Sequence, residues 1–154
     1  MSGAPAWRVR PLRAADIDAA HALLASNGWA DRIGDTAAFA ALLRASQRAV
    51  VAESNGTVIG FARALTDGLA NGYLSMVLVA PAFRGQGVGR ALVEHLTGND
   101  PQITWLLRAG REGAPAFFAK LGFSASATAM ERRRATAGAA ASALRGPRSE
   151  GAPP

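Results

Sequence analysis

The 154-residue sequence contains no cysteine, only two histidines and a single tyrosine, Tyr73. The absence of cysteine excludes disulfides, zinc–thiolate sites and cysteine nucleophiles. Two histidines, His21 and His95, are too few for a histidine-rich metal site. We therefore expect a protein without a bound metal, whose chemistry needs no covalent cysteine intermediate.

Long hydrophobic runs are also missing. No apolar stretch approaches the ~20 residues that a membrane helix needs, and the N-terminus lacks the apolar core of a signal peptide. Hydrophobic residues nevertheless make up 49% of the chain and charged residues 18%, which is typical of a globular protein. These features predict a cytoplasmic protein with one domain of ordinary size and no membrane association.

Positive charge is concentrated near the C-terminus. The net charge is +6, and the segment from Arg132 onward carries +4 of it, with five arginines and one acid, Glu150. No aromatic residues alternate with these arginines, so the sequence does not favour nucleic-acid binding. Residues 135–154 are rich in alanine, glycine and proline, and Leu144 is their one large aliphatic residue. We predict a folded domain over residues 1–134 and a flexible tail over 135–154.

Hydrophobic periodicity predicts a mixed α/β fold built on one sheet. Asp16 and Asp35 or Thr36 are candidate N-caps of two early helices. Asn55-Gly56, between two β-rich runs, predicts a hairpin. The predicted order is strand 7–12, two helices, the hairpin strands, strand 73–79, helix 87–96, strand 103–109, helix 113–120 and a last strand within 123–134.

Three glycines, Gly85, Gly87 and Gly89, stand between a predicted strand and a predicted helix. Such a turn lets an anion approach the unpaired N–H groups at the positive end of the helix. A P-loop requires a Lys-Ser/Thr pair that is missing here. A dinucleotide fingerprint belongs after the first strand of a βαβ unit, whereas this motif lies in mid-chain. An acyl-CoA cradle is the third alternative.

The stretch Arg84-Gly85-Gln86-Gly87-Val88-Gly89 resembles the R/Q-x-x-G-x-G/A signature of the GNAT N-acetyltransferase superfamily. Val79-Ala80-Pro81 precedes it, as the hydrophobic-x-Pro of that family does. The run from Phe117 to Phe123 resembles the family's F-Y-x-K-x-G-F segment. The element order from about residue 7 to residue 133 is similar as well. The resemblance implies a small single-domain GNAT fold with six to seven strands and about four helices.

The resemblance further implies an acyltransferase that uses acetyl-CoA and no metal. The acetyl group would pass directly to a primary amine of a small molecule or peptide in a ternary complex. The resemblance is also compatible with a homodimer. The fourth and fifth strands would splay apart to admit the pantetheine arm. The implied cofactor-binding residues are Val77, Leu78, Val79, Arg84, Gly85, Gln86, Gly87, Val88, Gly89, Arg90, Phe117, Phe118 and Lys120.

This sequence lacks one of the catalytic groups that the resemblance implies. The backbone N–H of Leu78 is the implied polariser of the thioester carbonyl. Phe118 stands where the family has a tyrosine acid, so Tyr73 becomes the candidate proton carrier. Alternation along a strand places Ser75 and Val77 on the face of Tyr73.

The implied acceptor residues are Trp29, Arg32 and Ser75. The missing tyrosine keeps an alternative open, namely a GNAT-fold protein that binds acyl-CoA with little or no transferase activity.

Overall fold

A computed structural model describes residues 6–135, so all but the first residue of the predicted tail lies outside the described residues. The predicted α/β order is confirmed up to the last helix, except that a short third helix, Ala30–Ile33, lies between the two helices predicted before the hairpin. The five strands are β1 (Arg8–Pro11), β2 (Arg48–Ser54), β3 (Thr57–Thr66), β4 (Asn71–Val79) and β5 (Thr104–Leu107). The α-helices are α1 (Ile17–Leu24), α2 (Ala30–Ile33), α3 (Thr36–Arg44), α4 (Val88–Thr97) and α5 (Ala114–Ala119).

The strands form one sheet in chain order, antiparallel except for the parallel pair β4–β5. The hairpin between β2 and β3 turns at Asn55 and Gly56, whose φ angles are 49° and 77°. Positive φ at both central residues is what a type I′ turn requires, so the prediction from this dipeptide is confirmed.

A helical layer covers each face of the sheet. On one face, Leu92 and Leu96 of α4 are buried against residues of the central strands such as Ala62. On the other face, Leu24 of α1 and Phe39 of α3 are buried against Phe61. Phe39 and Phe61 meet edge to face, with ring centroids 5.6 Å apart. Helix α4 thus lies on the opposite face from α1–α3, and the sheet between them holds the core.

One of the two predicted N-caps acts as predicted. The Asp35 carboxylate accepts a 2.8 Å hydrogen bond from the Ala38 N–H and caps α3. The Asp16 carboxylate does not cap α1. It accepts from the Arg13 N–H within a preceding 3-10 turn and pairs with the Arg10 guanidinium. The hydrogen bonds from Arg10 hold the pKa of Asp16 below its usual value.

The predicted last strand is wrong within the described residues. Beyond Leu107 the chain up to residue 135 forms no strand, so the sheet has five strands instead of six to seven. After Phe123, residues 124–134 are mostly small residues and consecutive arginines, which give them no apolar face to bury. Met130, the large apolar residue among them, is 97% exposed. A 2.9 Å ion pair between Arg108 and Glu131 joins this segment to the end of β5.

Strands β4 and β5 separate as predicted. They pair only from Asn71 to Leu74, whereas β4 continues to Val79. The edge of β4 from Ser75 to Val79 therefore has no strand partner on the β5 side in the described part of the chain. No described helix is long and apolar enough to span a bilayer.

A bulge in β4 changes which face its side chains occupy. The register with β3 shifts between Phe61 and Arg63, and Met76 has a φ of 57°. Before the bulge, Leu74 packs on the α4 face, and beyond it Val77 does so. Tyr73 and Ser75 alternate with Leu74 and lie on the opposite face. The predicted common face for Tyr73, Ser75 and Val77 is therefore wrong, because a bulge interrupts strict alternation.

Candidate functional site

A cleft of about 600 Å³ opens where β4 separates from β5. The end of β4 and the start of α4 form one side of this cleft, and α5 with the loop before it forms the other. It is lined by Trp29, Val77, Leu78, Val79, Phe83, Arg84, Gly85, Gly87, Val88, Gly89, Arg90, Arg111, Glu112, Gly113, Ala114, Phe117, Phe118, Lys120 and Leu121.

The N-terminus of α4 forms an open cradle. Gly85 and Gly87 have φ angles of 77° and 85°, in the left-handed region that favours glycine. A Cβ added at either position would meet no atom within 4 Å, so the backbone there borders free space. Gly87 is the N-cap of α4, and no side chain caps the helix. The N–H groups of the first turn are therefore available to an anion at the positive end of the helix.

Gly89 serves a different purpose from the other two glycines. A Cβ at this position would lie 3.0 Å from Cζ of Phe117. Because Gly89 has no Cβ, α4 and α5 can approach each other closely. The Arg90 guanidinium adds a second connection by donating to the Lys120 carbonyl at 3.3 Å. The two helices that flank the cleft are thus held together beside the cradle.

The electrostatic character of the cleft is cationic. Arg84, Arg90, Arg111 and Lys120 line it together with a single acid, Glu112. Nε of Arg84 donates to the Val79 carbonyl at 3.0 Å, which fastens the glycine loop to the end of β4. This charge balance favours a ligand with several negative charges.

The deeper part of the cleft is apolar. Val77 and Val79 from the unpaired part of β4 face Phe117 and Phe118 of α5 across it. Phe118 is 9% exposed and packs edge to face on Phe117 and Phe123, with centroids 4.9 and 5.7 Å away. Phe118 thus contributes packing and has no proton to donate.

A contact across the cleft joins the segment before α2 to the loop before α5. The Arg111 guanidinium lies 4.1 Å from the ring centroid of Trp29. It also donates to the carbonyls of Asn27 and Gly28, at 3.3 and 3.1 Å. Arg111 is not among the residues predicted from the sequence, because a lone arginine in a loop does not indicate a partner more than eighty residues away.

A family model described as an acetyltransferase (GNAT) domain matches residues 45–125, more than half of the chain. The chain belongs to the GNAT acetyltransferase family. This confirms the resemblance carried by the glycine stretch and the Phe117–Phe123 run, and it places the protein among acetyltransferases.

Solved structures with the GNAT fold agree with this assignment. A GNAT-family protein from Xanthomonas campestris pv. campestris is 23% identical, with a TM-score of 0.72 over 86% of this chain and 96% of its own. An acetyltransferase from Trypanosoma brucei is 25% identical, with a TM-score of 0.64 over 83% and 99%. A ribosomal-protein-alanine N-acetyltransferase from Brucella melitensis biovar Abortus 2308 is 21% identical, with a TM-score of 0.66 over 83% and 99%. A comparison with curated proteins finds no match.

The cleft of this GNAT domain brings together most of the predicted cofactor residues. All of them line it except Gln86, which is exposed in the loop between Gly85 and Gly87. Trp29 lines it too, whereas Arg32 is exposed on α2. Tyr73 and Ser75 are half-buried on the other face of β4. Among residues 6–135, no group of three or more acidic or histidine side chains is arranged to hold a metal.

The residues of the cleft fit acetyl-CoA, the donor that GNAT enzymes generally use. The open cradle at Gly85 and Gly87 accommodates a bulky anion such as a pyrophosphate. Four cations line the same cleft, and the apolar part with its unpaired strand edge suits an extended pantetheine chain. Features that suit a pyrophosphate and features that suit an extended chain therefore lie in one continuous cleft.

Proposed function

We propose that this GNAT domain transfers an acetyl group from acetyl-CoA directly to a primary amine within a ternary complex. The observation that carries the proposal is the continuity of the site. The glycine cradle at α4 and the unpaired edge of β4 border the same cleft, with α5 opposite.

Each wall of the cleft has a separate role in binding. The backbone N–H groups from Gly85 to Arg90 hold the pyrophosphate, and the neighbouring cations balance its charge. Backbone groups from Val77 to Val79 pair with the pantetheine arm as an added strand would. Phe117 and Phe118 on α5 pack along its other side. Bound acetyl-CoA supplies the acetyl group as a thioester, already activated for transfer.

The protein must position the two reactants, stabilise the negative charge that develops on the thioester oxygen, and transfer protons from the amine. The ammonium of the acceptor first loses a proton, and the C–N bond then forms as the C–S bond breaks. CoA leaves as a thiolate, which takes up the proton that the attacking nitrogen gives up. The backbone N–H of Leu78 is assigned as the donor to the thioester carbonyl oxygen, where negative charge develops. Trp29 and Arg111 cover the cleft on the acceptor side, which limits the access of water.

Tyr73 is the proposed proton carrier, since Phe118 cannot fill that role. Replacing Tyr73 by Phe removes the hydroxyl and keeps the ring that packs on the sheet. We expect the Tyr73→Phe variant to lose about 10²-fold or more in kcat, with the Kd for acetyl-CoA unchanged. Steady-state kinetics and calorimetry measure the two quantities separately. Full activity in this variant would remove Tyr73 from the mechanism.

Phe118 also supports a second candidate, a GNAT protein that binds acyl-CoA as a sensor or partner module with little turnover. A thiol-release assay with acetyl-CoA and a panel of amines distinguishes the two. Release that depends on an amine, with the acetylated amine identified by mass spectrometry, is the result expected of a transferase. Tight acetyl-CoA binding without turnover on any amine would favour the second candidate.

A further inference from the structure

Arg63, in the middle of β3, carries a buried charge that no acidic side chain among residues 6–135 pairs with. The residue is 8% exposed. Its Nη1 donates to the Ser46 hydroxyl at 3.2 Å, whereas its buried Nε has no hydrogen-bond acceptor within residues 6–135. Burial lowers the pKa of Arg63, yet a guanidinium stays charged near neutral pH. The comparably buried Arg10 is paired with both Asp16 and Glu53.

The guanidinium lies on the sheet face opposite α4. The neighbours of Arg63 on β3, Ala62 and Ala64, both pack against α4, so Arg63 points the other way. Its partners across the sheet are Ala49 on β2 and Ser75 on β4. Residues directly opposite each other share a face. Neither partner carries a charge that could pair with the guanidinium.

The same face is open to solvent next to Arg63. Tyr73 pairs with Leu65 of β3 and with Leu106 of β5, so the three side chains form a row. Leu65 is 37% exposed and Leu106 is 46% exposed. Tyr73 is close enough to Arg63 that charge on the phenol would raise the pKa of Arg63. We call the surface formed by Arg63, Leu65, Tyr73, Ser75 and Leu106 the open face.

The open face adjoins the cleft through the β4 bulge. Ser75 precedes Met76, whose positive φ marks the bulge, and Val77 and Leu78 line the cleft. Their partners on β3, Arg63 and Phe61, are two residues apart, so Ser75 and Leu78 are separated by about 7 Å along the sheet. A molecule on the open face can therefore present one end at the acetyl-donor cleft and another end at Arg63.

We propose that the open face binds the acceptor and that Arg63 binds a carboxylate of that acceptor, so that the substrate is an amine bearing a carboxylate a few bonds from its nitrogen. This inference rests on the proposed function. A guanidinium and a carboxylate form paired, charge-assisted hydrogen bonds, and the Ser75 hydroxyl can donate another. Leu65, Tyr73 and Leu106 lie in the next row beyond Arg63, away from the cleft, and border the carboxylate end of the acceptor. A carboxylate at this point supplies the charge partner that Arg63 lacks.

Matched pairs of acceptors test this inference. Each pair is an ω-amino acid of two to four methylene groups and its carboxamide, assayed by thiol release with the full-length protein. We expect the carboxylate member to be preferred at least tenfold in kcat/KM. The Arg63→Met variant should lose that preference with its Kd for acetyl-CoA unchanged. Arg44→Met, which removes an exposed arginine from α3, should keep it. Equal use of carboxylate and carboxamide by the wild-type protein would overturn the inference and leave the transferase function standing.

A binding measurement separates this inference from the proposed function. The Nε–H resonance of Arg63 should shift when the ω-amino acids are added to the CoA-bound protein, and the carboxamides should leave it unchanged. A shift without turnover would support the carboxylate site and count against transferase activity. No shift at saturating concentrations would overturn the carboxylate site. This spectrum uses the wild-type protein, so the test holds even if Arg63→Met does not fold.

Discussion

Gly87→Glu should abolish measurable CoA binding and leave the protein folded. The added Cβ meets no neighbouring atom, so the side chain extends into the free space of the cradle. Two negative charges about 4 Å apart repel each other by about 4 kcal/mol at an effective dielectric constant near 20, which sets the scale of the cost of a carboxylate beside the pyrophosphate. That cost corresponds to an increase in Kd of about a thousandfold, measured by isothermal titration calorimetry.

Two control variants separate charge from backbone strain. Gly87→Ala introduces the positive-φ strain, about 1 kcal/mol, without a charge, so it should weaken binding far less than Gly87→Glu. Gly56→Glu adds the same side chain at the β2–β3 turn, where φ is also positive and no atom lies within 4 Å. It should bind CoA as the wild type does. Unchanged affinity in Gly87→Glu would remove the cradle from the site.

Gly72→Ala should destabilise the fold by about 3 kcal/mol, because the site is already filled. An added Cβ would lie 2.4 Å from both Cε3 and Cζ3 of Trp105, the partner of Gly72 on β5. The indole ring is half-buried, and the Arg48 guanidinium lies 5.6 Å from its centroid. The ring must move, which disturbs the short stretch where β4 and β5 pair. The urea midpoint, followed by circular dichroism, measures the loss.

Gly110→Ala is the matched control for this substitution. Gly110 follows β5, its φ is not positive, and an added Cβ there meets nothing within 4 Å. Its stability should stay within about 0.5 kcal/mol of wild type. If Gly72→Ala proved as stable as this control, Trp105 could not be packed against β4 in the way the structure has it.

Local signals in the sequence predicted the parts of the fold that local chemistry determines. Asn55-Gly56 predicts its hairpin because few other dipeptides tolerate positive φ at both positions. The glycines after Arg84 predict an open helix start because the requirement is a backbone one. The open cradle at Gly85 and Gly87 is therefore predictable from the sequence, whereas its binding of the cofactor stays a prediction.

Features that depend on distant neighbours could not be predicted in this way. No residue near Met76 indicates a bulge. The prediction that the side chains of Tyr73 and Val77 lie on the same face of β4 is therefore wrong. The contact between Arg111 and Trp29 depends on how two loops meet across the cleft. That no acidic side chain among residues 6–135 pairs with Arg63 can be recognised only from its three-dimensional surroundings. Such features arise from tertiary packing, which overrides local patterns.

We propose that the glycine cradle and the unpaired edge of β4 together bind the acetyl donor. Amide NMR spectra recorded during a titration with CoA test whether both segments contact it. We expect large shifts for the backbone amides from Gly85 to Arg90 and from Val77 to Val79, with Gly56 unaffected. CoA binding that shifts other amides and leaves both of these segments unchanged would contradict it.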